Sequence, residues 1–364
     1  MQQKPQIIAF YLPQFHPIPE NDEWWGKGFT EWTNVGKAKP LFKGHNQPRV
    51  PTELGYYDLR LPVIREQQAQ MAREAGVTAF CYWHYWFGNG KRLMADIFDE
   101  VLETGKPDFP FCLGWANHSW FAKNWNADGS TTNKMLIEQA YPGLEDAKMH
   151  FEFLLRAFND KRYLKIGGKP FFYIFDPVAI PDEYIKYFKD TAKANGFEGL
   201  FLVANIVHPS ITRENLLQKG FDAVTYQRLG STFNPSRIAR GMEKVATRIS
   251  HFIKHLPPRV IDYKLYYHKL IAEEDRYDDV IPSIIPQWDH TPRSGWNGSL
   301  FVNATPEIFY KHVKEALETI REKTSDRQIL FLKSWNEWGE GNFVEPDITY
   351  GRGFLEALHK ALTE

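Results

Sequence analysis

The 364-residue sequence has too few cysteines for a fold that depends on disulfides or on cysteine-bound zinc. Only Cys81 and Cys112 occur, whereas small secreted scaffolds rely on several cystine bridges and cysteine-based zinc clusters on several thiolates. Both cysteines lie inside predicted strands. We therefore expect two packed core thiols rather than a nucleophile.

The sequence also lacks an excess of charge of either sign. Its 44 Lys and Arg residues offset 45 Asp and Glu residues, so the formal net charge at pH 7 is -1. A nearly neutral chain has no bulk field to attract nucleic acid or an anionic membrane surface. Nucleic acid is therefore not an expected partner.

Long hydrophobic runs are missing as well. No run of 18 apolar residues occurs, so no segment is expected to span a membrane. Residues 1–6 are short and polar, and no apolar leader region precedes the first predicted strand. The simplest interpretation is a cytoplasmic protein.

Aromatic residues, in contrast, are abundant. Phe, Tyr and Trp make up 15% of the chain, with 12 tryptophans. Many tryptophans stand beside polar residues, as in Trp115-Ala116-Asn117 and Trp335-Asn336-Glu337. A pocket that stacks a flat apolar face and hydrogen-bonds its edges needs both residue types. Sugars have this two-sided character, so we expect an oligosaccharide or polysaccharide ligand.

Short apolar runs alternate with helical patterns along the chain. The eight predicted strands are 7–12, 79–87, 111–116, 171–175, 200–205, 223–226, 283–288 and 329–334. Gly76, Gly196 and Gly220 follow three of the intervening helical patterns, as helix stops do. Alternating elements favour a parallel sheet, and eight of them predict one (β/α)8 TIM barrel, formed as a single domain over 1–364.

A doubly wound open sheet is the competing fold. Such a sheet carries a glycine-rich phosphate-binding turn after an early strand. Here the first strand is followed by Pro13-Gln14-Phe15-His16-Pro17, without glycine, and no Walker motif occurs. The barrel is therefore the preferred fold.

Two connections are unusually long, 13–59 and 228–280. Loops of this length are functional lids or disordered segments. The first is too aromatic for disorder, so we expect it to fold over the barrel mouth with Trp24, Trp25 or Trp32 facing the pocket. The second includes a predicted basic helical segment near 237–254.

Polar and aromatic residues follow every predicted strand, where barrel enzymes place their active sites. Each has an ordinary explanation as a capping or solvated loop group, but their occurrence at all eight strand ends favours a binding site. The candidate substrate-binding residues are Tyr11, His16, Trp83, His84, Trp115, Asn117, His118, Asp176, Asn205, Gln227, Trp288, Asp289, Arg293, Trp335 and Asn336.

The candidate catalytic residues are Glu337 and Glu340, which follow the eighth strand. On a continued strand they would face opposite ways, but a turn loosened by Gly339 and Gly341 lets them converge. Two carboxylates flanking one bond are the equipment of glycoside hydrolysis. The alternative is a pair of solvated loop glutamates.

The sequence shows no pattern typical of a catalytic metal site or of a serine nucleophile. His16, His84, His118, His208 and His290 lack the spacing of metal ligands on a helix. No G-x-S-x-G nucleophile elbow occurs either. The sequence therefore predicts neither a metal nor another cofactor.

Several stretches resemble the WbsX-like proteins, which are usually labelled glycosyltransferases of O-antigen and capsule gene clusters. Those stretches are 11–16, 21–32, 55–58, 286–293, 335–341 and 345–347. The WbsX-like proteins are in turn similar to glycoside hydrolase family 99, the endo-acting α-mannosidases and mannanases.

The resemblance implies a metal-independent (β/α)8 enzyme that acts on an α-linked glycan with retention. In family 99, the first Glu of N-E-W-x-E-G takes the proton from the sugar 2-hydroxyl to give a 1,2-anhydro intermediate, and the second is the general acid and then the base. Carried over, these are Glu337 and Glu340. Family 99 has His where this chain has Gly339, which leaves the sugar open.

Three function classes remain: a hydrolase, a transferase that builds a polysaccharide, and a non-catalytic carbohydrate-binding protein. A transferase would be expected to show a D-x-D metal site or a nucleotide-phosphate turn, and a binding protein would not need both glutamates. For the hydrolase we expect both carboxyls to open onto the deepest rim pocket. We also expect a raised pKa at Glu340 in drier surroundings and an ionised Glu337.

Overall fold

The computed structural model describes residues 4–125, 131–208, 210–229 and 259–364. The main strands are β1 (Gln6–Tyr11), β2 (Ala79–Trp86), β3 (Phe111–Trp115), β4 (Lys169–Ile174), β5 (Phe201–Ile206), β6 (Ala223–Tyr226), β7 (Ser283–Ile284) and β8 (Ile329–Leu332). The helices are α1 (Pro19–Trp25), α2 (Glu31–Lys37), α3 (Pro62–Ala75), α4 (Asp96–Thr104), α5 (Leu144–Phe158), α6 (Asp182–Ala194), α7 (Arg213–Lys219), α8 (Tyr263–Tyr266), α9 (Thr291–Ser294), α10 (Pro306–Ile320) and α11 (Gly353–Thr363). The predicted basic segment near 237–254 lies outside the described residues.

The main strands follow the order β6-β5-β4-β3-β2-β1-β8-β7 in one sheet. The last strand returns to the first, because β1 pairs with β8 in parallel, with Ile7 opposite Leu330. Each strand thus neighbours its predecessor in the chain, apart from the step between β6 and β7. This is the topology of a nearly closed (β/α)8 barrel, and the predicted fold class is confirmed.

The strands are apolar throughout because both of their faces are covered. The side chains of β1 from Ile7 to Tyr11 expose at most 1% of their surface. Helix α5 buries Ala147, Phe151, Leu154 and Phe158 along one stripe, at the spacing of an amphipathic helix. Burying a Leu or Phe side chain stabilises a fold by about 1.5–3 kcal/mol.

Residues of the described chain group into two compact units. One contains the residues up to Phe80, residues 207 and 208, and those from Tyr226 onward. The other runs from Cys81 to Ile206 and from Ser210 to Thr225. The first unit carries β1, β7, β8 and the connection 13–59, and therefore both candidate catalytic glutamates.

Two features differ from the predicted elements. An antiparallel hairpin, Trp120–Trp125 with Thr131–Ile137, follows β3 and was not predicted. Strand β7 is shorter than predicted because Pro286 has no N–H for the sheet ladder. The following residues pair elsewhere instead, with the Phe301 N–H donating to the Trp288 carbonyl at 2.8 Å.

Candidate active site

The segment after β8 folds back on itself and carries both candidate glutamates. Asn336–Glu337 pairs in antiparallel fashion with Asn342–Phe343, and a single 3-10 turn, Trp338–Glu340, lies between them. Gly341 closes the turn with φ 55°, a left-handed conformation that favours glycine. Both glutamates are half-buried, and the turn brings them close enough to interact electrostatically.

Glu340 is paired with a cation. Its Oε1 accepts a hydrogen bond from Nη1 of Arg293, which lies in α9. The Nε2 atom of His290 is 3.8 Å from the same oxygen. The backbone carbonyl of Glu340 also accepts the Asp289 N–H at 2.7 Å. Contacts with both its side chain and its backbone therefore hold Glu340 in place.

Glu337 has a different environment. Its Oε2 accepts a hydrogen bond from the Ser334 hydroxyl at 3.2 Å. Burial, followed by the charge of Glu340, raises the pKa of Glu337 to about 8, against the opposing charges of Arg293 and Lys333. The raised pKa of Glu337 is opposite in direction to the expectation of an ionised carboxylate, because the arginine contacts Glu340 instead. Which of the two carboxyls carries the catalytic proton stays a prediction.

The raised pKa of Glu337 predicts how the free energy of unfolding depends on pH. The folded-state pKa of Glu337 is raised to about 8 from 4.5, so the folded chain binds a proton that the unfolded chain releases between these values. The stabilisation is complete below about pH 4.5 and is lost as pH rises through 8. We expect urea unfolding to show a loss on the order of 2–4 kcal/mol from pH 5 to 9 that Glu337→Gln removes. Parallel profiles for the two proteins would contradict the raised pKa.

Glu345 organises the interior behind the pair, although sequence reasoning did not select it as a site residue. It is buried and accepts four side-chain hydrogen bonds. The donors are Trp338 Nε1 and Gln68 Nε2 at 2.6 Å, Trp335 Nε1 at 2.8 Å and Tyr57 Oη at 2.9 Å. Burial raises the pKa of Glu345 to about 7 while these donors oppose the rise. An acid inside the apolar stretch 343–346 was the sequence feature that could have revealed this role.

Three predicted binding residues lie at the ends of β1 and β8. Asn336 accepts the Leu12 N–H at 2.8 Å and donates to the Leu12 carbonyl at 3.0 Å. The Tyr11 hydroxyl donates to Gln68 Oε1 at 2.6 Å. Trp335 is fully buried with its indole N–H on Glu345. These three side chains therefore fix the geometry of the segment that carries the glutamates.

The connection 13–59 packs against the residues that follow β7 and β8, whereas a position over the barrel mouth stays a prediction. Asp289 Oδ2 accepts hydrogen bonds from His45 Nε2 at 2.8 Å and Gln47 Nε2 at 2.7 Å, while Thr291 donates to Oδ1. His45 Nδ1 accepts the Leu41 N–H at 3.1 Å, which places the ring proton on Nε2. Burial acts to raise the pKa of Asp289, but these hydrogen bonds hold it below its usual value.

Of the three tryptophans expected to line a pocket, Trp32 is the one packed on the glutamate segment. Its ring lies 5.4 Å from that of Trp338 and 4.7 Å from that of Phe15, and its N–H donates to the Tyr57 carbonyl at 2.7 Å. Trp25 is 47% exposed and lies near Phe29, and Trp24 is half-buried. A sugar-stacking role for any of them stays a prediction.

Removing His45 tests how this connection is fastened. His45→Ala leaves Asp289 buried with one donor fewer, which costs about 1–3 kcal/mol. We expect faster hydrogen exchange at amides 41–59 with little change in β8. Asn46→Ala is the matched control, because Asn46 lies in the same loop but is exposed and bonds Thr349. Equal exchange in the two variants would show that Asp289 does not anchor the connection.

The remaining predicted residues of the first unit differ in how deeply they are buried and in what they contact. His16 is buried, and Gln227 is half-buried. Trp288 is half-buried, donates its N–H to the Ser299 hydroxyl at 3.1 Å and stacks on His290 with a ring separation of 5.9 Å. Arg293 thus contacts Glu340 directly, whereas Trp288 stacks on His290, which lies beside Glu340.

In the second unit, several predicted residues hold the strand ends together. Asn117 is buried, accepts the Asp176 N–H at 2.7 Å and donates to the Tyr141 hydroxyl at 2.8 Å. Trp115 is fully buried, with its N–H on the Trp86 carbonyl at 2.9 Å. Asn205 is likewise buried. Their binding of a sugar stays a prediction.

His84, also in the second unit, is a buried partner of another histidine. Its Nε2 lies 2.9 Å from Nε2 of His150, and its ring stacks on Phe153. Burial, with a smaller contribution from Arg92, lowers the pKa of His84 to about 3. The imidazole is therefore neutral across the physiological range.

Three predicted residues of that unit keep exposed surface. Trp83 is half-buried against the edges of Tyr173 and Phe175. His118 is exposed, with its ring 4.9 Å from that of Phe175, and Asp176 is half-buried and accepts the N–H groups of the following turn. An aromatic face beside polar groups suits a sugar.

The sequence matches the family model described as Glycosyltransferase WbsX over residues 7–358. The chain belongs to the WbsX glycosyltransferase family. This match includes the Glu337 segment and the anchors Tyr57, Asp289 and Glu345, and it confirms the resemblance seen in the sequence.

A curated protein is similar in sequence to this WbsX family member. The uncharacterized protein WxcX of Xanthomonas campestris pv. campestris is 33% identical over 380 aligned positions, which cover 98% of this chain and 49% of WxcX. The chain therefore spans about half the length of the curated relatives it matches.

Two solved structures share the fold at low sequence identity. The GH99 endo-α-mannosidase of Bacteroides thetaiotaomicron has a TM-score of 0.57 at 16% identity, covering 98% of this chain and 95% of the mannosidase. A glycoside hydrolase-like protein has a TM-score of 0.59 at 16% identity, covering 100% and 95%. At this identity the likeness establishes the (β/α)8 fold of this WbsX family member.

The described part of this WbsX family member has neither a metal-binding cluster nor a membrane-spanning helix. No group of three or more His, Cys, Asp or Glu side chains in 4–125, 131–208, 210–229 and 259–364 could hold a metal ion. Within the same ranges, no helix is both long and apolar enough to cross a membrane.

Proposed function

We propose that the chain is a retaining glycoside hydrolase of the family 99 type, with Glu337 and Glu340 as its catalytic pair. Its substrate is an α-linked, mannose-like glycan or a bacterial surface polysaccharide. The observation that carries the proposal is the unequal pair after β8: Glu337 has a pKa raised to about 8, while Glu340 is bonded to Arg293. Such inequality is what acid–base catalysis of glycosidic cleavage requires.

In the proposed reaction, one carboxyl group of the pair starts protonated and the other starts ionised. One carboxyl donates its proton to the glycosidic oxygen as that bond to the anomeric carbon breaks. Its partner, as carboxylate, takes the proton of the sugar 2-hydroxyl, and that oxygen bonds to the anomeric carbon to form a 1,2-anhydro sugar. Water then attacks the anomeric carbon and opens the three-membered ring. It gives one proton to the carboxylate that protonated the leaving group, while the partner carboxyl returns to O2 the proton that it took from the 2-hydroxyl. Two displacements at one carbon give net retention.

The raised pKa of Glu337 supports one of the two possible assignments of roles. Because Glu337 holds the proton near neutral pH, it is the proton donor, and the Arg293-bound Glu340 is the acceptor. This is the reverse of the roles implied by the family resemblance. A donor whose pKa lies near the working pH is also the more effective general acid.

A glycosyltransferase is the second candidate, and the description of the family model favours it. Such an enzyme would make a glycosidic bond from an activated sugar donor instead of breaking one with water. The same carboxyl pair could then act on the donor and on the acceptor hydroxyl. The hydrolase would consume water, whereas the transferase would consume an activated sugar donor.

A substrate screen distinguishes the candidates. Purified protein is incubated with defined α-linked oligosaccharides and with isolated O-antigen polysaccharides, with and without nucleotide sugars, and products are detected by mass. We expect cleavage products gaining one water without any nucleotide sugar. Products that appear only with a nucleotide sugar, with a sugar residue added, would establish the transferase instead.

Three further predictions from the sequence stand beside this proposal. They are the single domain over 1–364, the cytoplasmic location, and the opening of both glutamates onto the deepest pocket at the strand ends. Each of the three stays a prediction.

A further inference from the structure

Arg293 lies between two glutamates, and only one of them belongs to the catalytic pair. Its Nη1 bonds Glu340, while its Nη2 and Nε lie 3.0 and 3.3 Å from Oε2 of Glu31. Glu31 is the first residue of α2 in the connection 13–59 and exposes 3% of its surface. A carboxylate this buried needs a cation, and Arg293 supplies it.

Gly339 leaves the room that the Glu31 carboxylate occupies. A Cβ built at Gly339 would lie 2.0 Å from Glu31 Oε2 and 3.1 Å from Arg293 Nε. The φ angle of Gly339 is outside the left-handed region, so the backbone conformation alone would accept any residue. Glycine is therefore required at this position for space.

We propose that Glu31 is a positioning residue for the reaction, holding the Arg293 guanidinium in the orientation that pairs with Glu340, and that Gly339 admits its carboxylate. The planar guanidinium contacts two carboxylates at once, which a lysine ammonium cannot reproduce with the same fixed geometry. This inference rests on the proposed function of the glutamate pair.

The charged groups around the pair support this role. Glu31, Glu337 and Glu340 face Arg293 and Lys333, with His290 beside Glu340 and the Ser334 hydroxyl on Glu337. Burial lowers the pKa of Lys333, so Arg293 is the permanent cation of this group. Glu31 adds negative charge that raises the pKa of Glu337, and Arg293 lowers it. Loss of the Glu31 charge should therefore favour release of the proton.

The first test is the pH profile of Glu31→Gln, which keeps the size of the side chain and removes its charge. Both the alkaline fall in stability and the alkaline limb of kcat/KM on a substrate found in the screen should move to lower pH, by about half a unit. We expect kcat to fall about tenfold with KM little changed, because Arg293 is misplaced. A role confined to structure would lower stability at every pH and leave both limbs in place.

The second test uses the contact with Gly339. Gly339→Ala should lower kcat about tenfold in the wild-type background, because the new methyl group displaces the Glu31 carboxylate. In a Glu31→Ala background the 2.0 Å collision is gone and the 3.1 Å approach to the flexible Arg293 side chain remains, so the same change should cost less than about threefold. In a Glu31→Gln background the collision persists, which makes that double variant the matched control. Equal costs of Gly339→Ala in the Ala and Gln backgrounds would overturn the steric part of the proposal.

The outcomes also separate this inference from the proposed function. If the chain cleaves glycans but Glu31→Gln keeps the wild-type pH limbs, Glu31 is not a positioning residue while the hydrolase proposal survives. If the screen finds no cleavage, the stability profile still reports whether Glu31 controls the proton on Glu337. An unshifted profile there rejects the role, and a shifted one supports it.

Discussion

Glu337→Gln and Glu340→Gln are each expected to lower turnover of a glycan substrate by at least about a thousandfold. Glutamine keeps the shape of each side chain and removes its capacity to give or take a proton, and general acid–base catalysis is worth about 10²–10⁴-fold for each group. Glycan affinity, measured by calorimetry, should stay within about threefold of wild type because the change is nearly isosteric. The two variants are compared with Glu356→Gln, an exposed glutamate on α11.

The leaving group separates the two roles. A glycosyl fluoride needs little protonation of its leaving group, so the variant that lacks the general acid should recover activity on it. We expect Glu337→Gln to recover at least about tenfold more than Glu340→Gln, since the raised pKa places the proton on Glu337. Recovery by Glu340→Gln alone would restore the roles that the family resemblance implies. Near-normal turnover by both variants on the natural glycan would reject the pair altogether.

Glu345→Ala is expected to cause the largest loss of stability, about 3–6 kcal/mol in urea unfolding. Four buried donors bond to this carboxylate, and each buried donor left without an acceptor costs about 1–3 kcal/mol before water or neighbours compensate. Since the donors come from β8's extension, α3 and the connection 13–59, the loss should be global.

Glu345→Gln is the matched control for this network. The amide keeps one acceptor oxygen and the side-chain volume, so its cost should be about half that of Glu345→Ala. If Glu345→Ala fails to fold, the Gln variant still reports the effect. Unfolding free energies of both variants within about 0.5 kcal/mol of wild type would show that the four hydrogen bonds do not hold the segment.

Much of the fold follows from local patterns in the sequence. Helix α5 spans Leu144–Phe158, where its apolar residues form one stripe at helical spacing. Gly76 closes α3 with φ 90°, as a glycine helix stop should. The eight apolar runs were sufficient to predict the barrel, since helical patterns alternate with them along the sequence.

The arrangement of the site could not be predicted in the same way. Glu31 and Arg293 are 262 residues apart in the chain, and nothing near either residue indicates the other. Without knowledge of the Arg293 contact with Glu340, the two glutamates look alike in the sequence, which is why the raised pKa of Glu337 was not predicted. Gly339 was interpreted as a source of turn flexibility, whereas Gly341 has the left-handed conformation and Gly339 supplies space.

The stereochemistry of the first product tests the proposed hydrolysis most directly. An α-linked oligosaccharide cleaved in the substrate screen is followed by proton NMR from the first minutes, before mutarotation mixes the anomers. We predict that the α-anomer of the new reducing end appears first and that the β-anomer grows in later. A β-anomer that appears first would contradict the retaining mechanism of Glu337 and Glu340.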